Sequence, residues 1–185
     1  KVDTLVGMFA AGEKPTGSRD PYGLRRAAQA VVKILTDLEA TTGISKPVKV
    51  SALVDQALAG YAGTVTPADD AWRTALFGFL AERQAYLLER RGFKFDEIRA
   101  VVGEGATLAP HDVMRRVHAL SQARKTAGFE PLAVLFKRVK NITKDFKADV
   151  GTPSDFASIR AVLREPAELA LLDALEQRSA RIAPE

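Results

Sequence analysis

Residues 20–40, DPYGLRRAAQAVVKILTDLEA, decide the fold class. After Asp20-Pro21, the apolar residues Leu24, Ala27, Ala28, Val31, Ile34, Leu35 and Leu38 recur at the three- and four-residue spacing of one helix face, and Gly43 follows as a stop. Proline at a first helical position sacrifices no useful N–H and presets φ, and a preceding Asp or Thr can cap the free amides. Thr66-Pro67 and Thr152-Pro153 repeat this signal, with Asp69 and Asp155 close behind. Ala109-Pro110 and Glu165-Pro166 are weaker versions of it.

Helical patterns follow each start. Ser51 is expected to cap a segment carrying Leu53, Val54, Ala57, Leu58 and Tyr61. Trp72, Leu76, Phe79, Leu80 and Leu87 form a stripe stopped by Gly92, and FKFDEIRAVVGEG reads as a short helix closed by Gly103 and Gly105. Val113, Val117 and Leu120 mark the next helix, and Leu132, Leu135, Phe136, Val139 and Ile142 the one after. Phe156, Ile159 and Leu163, then Leu169, Leu172 and Leu175, finish the chain. No period-two strand and no Asn-Gly or Asp-Gly hairpin intervenes. The expected fold is all-α, a multi-helix array, with residues 61–70 (YAGTVTPADD) as the best boundary.

The 185 residues suffice for one large domain or two small ones, and 46% hydrophobic with 27% charged residues describes a globular chain. No apolar run approaches the ~20 residues of a membrane helix, so no membrane contact is expected. The absence of cysteine excludes disulfides, thiolate metal sites and cysteine nucleophiles, and fits a cytoplasmic protein. The chain opens at Lys1 inside an apolar pattern and stops just after a helical one, as expected of a piece of a longer protein.

Charge is unevenly placed. Residues 111–147 hold nine Lys/Arg against three Asp/Glu, whereas residues 1–110 hold fourteen against thirteen and residues 148–185 four against seven. The basic stretch centres on LAVLFKRVKNITKDFK, where an apolar stripe running to Phe146 leaves Lys137, Arg138, Lys140, Asn141 and Lys144 on other faces. Such a helix can dock on a core and offer cations and one amide to a phosphate backbone or base edge. A solvated basic back on an ordinary amphipathic helix explains the same pattern. Arg83, Arg90 and Arg91 pose the same choice, since long basic side chains often only cover apolar surface.

Catalytic constellations are missing. His111 and His118 lie seven residues apart, too far for helical zinc pairing, and are expected at surface or half-buried positions. No nucleophile elbow, phosphate-loop motif or dinucleotide fingerprint occurs. GEKPTGSRD, residues 12–20, has no preceding strand, and its glycines are not spaced to aim consecutive amides at an anion. The stretch around Lys14, Pro15, Gly17, Asp20, Pro21, Arg25 and Arg26 therefore reads as a structural elbow, whose Arg25 and Arg26 either brace turn carbonyls, the favoured reading, or touch RNA.

That elbow carries a resemblance. KVDTLVGMFAAGEKPTGSRDPYGLRRAA closely resembles the DKLDTLxGxFxxGxKPTGSxDPFALRRAA block of the β subunit of bacterial heterotetrameric glycyl-tRNA synthetases, and GFKFDEIRAVV and FKRVKNI are similar to two further blocks in the same order. The resemblance implies that residues 1–63 are the C-terminal part of an HD-like helical domain. It implies that residues 66–185 are a helical anticodon-binding-like domain, incomplete at its C-terminus, in which LREPAELALLDALE also has a counterpart. It further implies a tRNA-binding, non-catalytic subunit of glycine–tRNA ligase. The partners would be tRNA(Gly) and an α subunit, in a heterotetramer of two α and two β. ATP, with magnesium, would be held by the α subunit and no cofactor by this chain. Candidate tRNA contacts are Lys137, Arg138, Lys140 and Asn141 first, and Arg83, Arg90 and Arg91 second. The competing expectation is a helical protein-interaction scaffold with solvated basic faces. Two departures stand out: Tyr22-Gly23 replaces the usual Phe-Ala, with Gly23 expected to weaken a first helical turn. Asp3 aligns with the last acidic ligand of HD phosphohydrolases, but the paired His-Asp of that motif is absent.

Overall fold

A computed structural model describes residues 1–67, 69–102, 109–144 and 156–182. The described residues contain helices and no strand; an isolated bridge joins Thr16 and Arg19. The helices are α1 (Val2–Ala10), α2 (Leu24–Thr36), α3 (Leu38–Thr42), α4 (Val50–Ala59), α5 (Ala71–Arg90), α6 (Phe95–Val101), α7 (Pro110–Ala123), α8 (Phe129–Thr143), α9 (Phe156–Val162) and α10 (Pro166–Ile182). The all-α expectation holds. Two compact units divide between Pro131 and Leu132, and residues 61–70 connect α4 to α5 inside the first.

Several helix starts differ from the proline signals. Pro110 and Pro166 do open α7 and α10. Ser51, however, lies inside α4, whose N-cap is Lys49. Pro21 stands outside α2, whose N-cap is Gly23 with φ of 64°. In this left-handed conformation a Cβ would be strained, so Gly23 suits the position and weakens no helical turn. Asp20 nevertheless caps, reaching across the extra turn to accept from the amides of Leu24 (2.8 Å) and Arg25 (3.0 Å). Pro67 likewise precedes α5 by several residues, and Asp69 accepts from the Ala71 amide at 2.8 Å. In both places a side chain satisfies amides the helix leaves unbonded, while the proline shapes the approach. Thr152, Pro153, Asp155, Gly103, Gly105 and Phe146 fall outside the described residues.

In the first unit α5 packs against α1, α2 and α6, α1 against α2 and α4, and α2 against α7. The core interleaves Leu5, Val6 and Phe9 with Leu24, Ala28, Val31, Val32 and Leu35, and with Leu76, Phe77, Leu80 and Leu88. Ile34 was expected in the α2 stripe but is 59% exposed. At ~100° per residue the buried arc runs from Val31 through Leu24 and Ala28 to Thr36, and Ile34 falls about 60° beyond its Val31 edge. Val32 and Thr36 fill the buried face in its place. Similarly, on α5 Phe79 is only half-buried, and Phe77, Gln84 and Leu88 are buried. Gln84 occupies an apolar stripe position because Thr36 Oγ1 donates to its Oε1 at 3.1 Å, and its Nε2 approaches the Pro110 carbonyl at 3.5 Å. The second unit holds α9 against α10, with Leu172 buried and Arg160 ion-paired to Asp173 and Glu176.

Candidate nucleic-acid interface

The basic residues fall into two settings. On α8, Lys137, Arg138, Lys140 and Asn141 are all exposed, and none has a polar side-chain partner among the described residues. Lys137 and Lys140, Lys137 and Asn141, and Arg138 and Asn141 are spaced three or four residues apart, the separation that makes neighbours on a helix surface. The apolar stripe of the same helix is exposed too, with Phe136 at 67% and Ile142 at 78%. An α8 seated on a core through Leu132, Leu135, Phe136, Val139 and Ile142 is therefore not what the described residues show.

The arginines of α5 have different surroundings. Arg91 Nη2 donates to both oxygens of Asp37, at 2.7 and 2.9 Å, clamping the α2–α3 junction to the end of α5. Burial disfavours the Asp37 carboxylate, but hydrogen bonds and charge from Arg91 and Lys33 outweigh this and hold its pKa below the ordinary value. Arg90 is exposed. Arg83 lies over the Phe79 ring at 5.6 Å and faces Glu82 at 3.5 Å, while its Nε is buried without a hydrogen-bond partner.

At the elbow, Thr16 and Arg19 exchange backbone hydrogen bonds of 3.1 and 2.8 Å, closing the turn around Gly17. Arg25 Nη2 donates to the Gly17 carbonyl at 2.6 Å, tying the first turn of α2 to the loop. Burial opposes ionisation of Asp20, but the Arg25 and Leu24 amides and the charges of Arg25 and Arg26 prevail, lowering its pKa. Lys14 and Arg26 are exposed and Pro15 is half-buried. The fold brings Lys14, Arg25 and Arg83 to the wall of one cleft, a grouping that their distance along the chain conceals.

The histidines are set apart by their environment. His118 is exposed beside Phe93, ring centroids 6.3 Å apart. His111 is buried, contrary to the surface or half-buried expectation, with Glu39 at 2.8 Å from its Nε2, while its Nδ1 has no partner among the described residues. Among the described residues no three His, Asp or Glu side chains are grouped to hold a metal. No described helix is long and apolar enough to cross a membrane.

Comparison with known proteins decides the family. The family model for the glycyl-tRNA synthetase beta subunit matches residues 1–103. This chain belongs to that family. The glycine–tRNA ligase beta subunit of Acidobacterium capsulatum is 37% identical over 100% of this chain and 25% of its own length. That of Desulfatibacillum aliphaticivorans is 35% identical over 99% of the chain and 25% of its own. For Aromatoleum aromaticum the figures are 37%, 95% and 23%. The chain thus spans about a quarter of the length of the curated glycyl-tRNA synthetase beta subunits it matches. The matched span contains the elbow, whose residues here cap α2 and close its turn, and α6. The cations of α8 lie beyond the part that the family model matches.

Proposed function

We propose that this chain is part of the tRNA-binding subunit of a cytoplasmic glycine–tRNA ligase, supporting ATP-dependent attachment of glycine to tRNA(Gly) without itself catalysing it. Aminoacyl transfer, with ATP and magnesium, falls to a partner α subunit in an assembly of two α and two β. Residues 1–63 then serve as the end of an HD-like domain, and residues 66–185 as part of an anticodon-binding-like one. Membership of the beta-subunit family is the observation that carries this reading. Lys137, Arg138 and Lys140, exposed and without a polar partner among the described residues, support α8 as the tRNA contact. Their role is electrostatic: cations displace counterions from phosphates and hold the RNA in register, while Asn141 can donate to or accept from an unpaired base edge.

The exposed apolar stripe of α8 favours a second reading, in which this helix is a protein-docking element and its basic back is solvated. Salt dependence separates the two. In the full subunit, reversing Lys137, Arg138 and Lys140 to Glu together is expected to weaken tRNA(Gly) binding. The slope of log affinity against log salt should fall by about three, roughly one per lost phosphate contact. Unchanged binding and slope would rule out α8 as the contact.

A further inference from the structure

The elbow and α5 together gather three cations whose grouping the function above does not use. A cleft of about 330 Å³ opens between the elbow and α5, walled by Lys14 and Arg25 on one side and Phe79, Glu82 and Arg83 on the other, with Phe9 below. Its charged lining is three cations against one carboxylate. From this juxtaposition we infer that the cleft is a binding site for a phosphate oxyanion, and that its occupant is a backbone phosphodiester of RNA.

Both guanidiniums are held before any ligand arrives. Arg25 spends one donor on the Gly17 carbonyl, which fixes the plane of its fork and leaves most of its five N–H groups for an anion. Arg83 is laid on the Phe79 ring, and its contact to Glu82 at 3.5 Å is longer than a charge-assisted hydrogen bond. Its buried Nε has no partner among the described residues, a deficit that an arriving oxyanion or a small shift of the fork toward it would relieve. Lys14 adds a mobile point charge without a polar partner among the described residues. Ordering costs are thereby reduced for the two planar groups that recognise phosphate geometry best. Glu82 is the counterweight. Its side chain is 69% exposed, so it can turn to solvent as an anion enters.

This differs from the glycine-loop reading that the sequence excludes. Here the donors are side chains gathered from the elbow, the first turn of α2 and the middle of α5, and no run of backbone amides is needed. A neighbouring depression of about 380 Å³ shares Phe9, Lys14 and Ala75 with the cleft and is walled by Trp72, whose Nε1 is buried without a partner. Although Asp69 also lines it, it offers a largely apolar surface beside the phosphate position, as a nucleotide needs and a bare ion does not.

The oxyanion site stands independently of the tRNA reading, whereas the RNA source rests on it. The test uses the full β subunit and two ligands, tRNA(Gly) titrated across salt and inorganic phosphate followed by calorimetry. In the double variant Lys14→Gln/Arg83→Gln, the Arg25 hold on the elbow is kept. Its tRNA affinity should fall about tenfold, with the salt slope reduced by about two, and phosphate binding should be lost. Glu82→Gln should strengthen both, and it keeps the test decisive if the double variant fails to fold. Lost phosphate binding with an unchanged tRNA isotherm would support the oxyanion site and assign it to free phosphate. Binding of both ligands unaltered by either change overturns the inference. Loss of tRNA binding here but not on reversing the α8 cations would support this site while removing α8 from the interface.

Discussion

Gly7 shows how one hydrogen atom in place of a methyl can make room for a ring from the turn that follows α4. A Cβ on this α1 residue would lie 2.6 Å from Tyr61 Cζ and 2.7 Å from its hydroxyl oxygen, closer than real contacts allow. Tyr61 is held there because its hydroxyl donates to the Asp3 carbonyl at 2.9 Å. Gly7→Ala must therefore displace the ring and break that bond. We expect a loss of about 1–2 kcal/mol in urea denaturation. In a Tyr61→Ala background the same change should become neutral or favourable by up to about 1 kcal/mol, since alanine suits a helix interior better than glycine. A Gly7→Ala cost that persists without the tyrosine ring would sink this account. Asp3 enters this contact through its backbone carbonyl, so the bond does not depend on its carboxylate.

Between elements, the buried polar link through Gln84 joins three helices. Thr36 comes from α2, Gln84 from α5 and the Pro110 carbonyl from the start of α7. Thr36 and Gln84 are both buried, so each depends on the other for its hydrogen bond. Gln84→Ala should cost about 1–3 kcal/mol, because it strands the Thr36 hydroxyl away from water. The paired change Thr36→Val/Gln84→Met removes both polar groups and should recover most of that loss in equilibrium melts. If the single and double variants are equally destabilised, the link is not what Gln84 contributes. The position looks anomalous within the α5 stripe, and only the opposing helix accounts for it. The same holds for Ile34, whose apolar side chain points outside the arc that α5 and α7 cover.

At the scale of the molecule, three carboxylates are held low by their partners, Asp37 and Asp96 across distant parts of the chain and Asp20 within its own turn. Asp20 is lowered as described, as is Asp37, which receives Arg91 and Lys33. Asp96 is disfavoured by burial but stabilised more by the Arg124 hydrogen bond and charge, so its pKa is lowered too. Each therefore adds stability that is complete above the ordinary carboxylate pKa near 4 and lost as pH falls through the lower folded value. Stability should be flat from about pH 7 to pH 5 and decline below about pH 4. Asp37→Asn should be less stable than wild type at neutral pH, with the difference closing by about pH 2. A gap that is constant with pH would mean that ionisation of Asp37 contributes nothing. On the proposed RNA reading, Arg91 is engaged inside the fold, whereas the α8 cations have no polar partner among the described residues, so charge reversal on α8 should alter binding with little change in melting temperature.

Local pattern was enough for the helix content, for the placement of α7, α8 and α10, and for the family, because periodicity and capping act over a few residues and the elbow block is long. It was also enough to locate the richest run of cations. Tertiary structure decided which proline signals lie inside helices, since Asp20 and Asp69 cap across turns whose geometry no single residue type dictates. It decided that Arg91 is a clamp and that His111 is buried against Glu39, residues 72 positions apart in the chain. It also brought Lys14 and Arg25 opposite Arg83. Charge and hydrogen bonding act through space, so their partners become legible only when the helices have been packed.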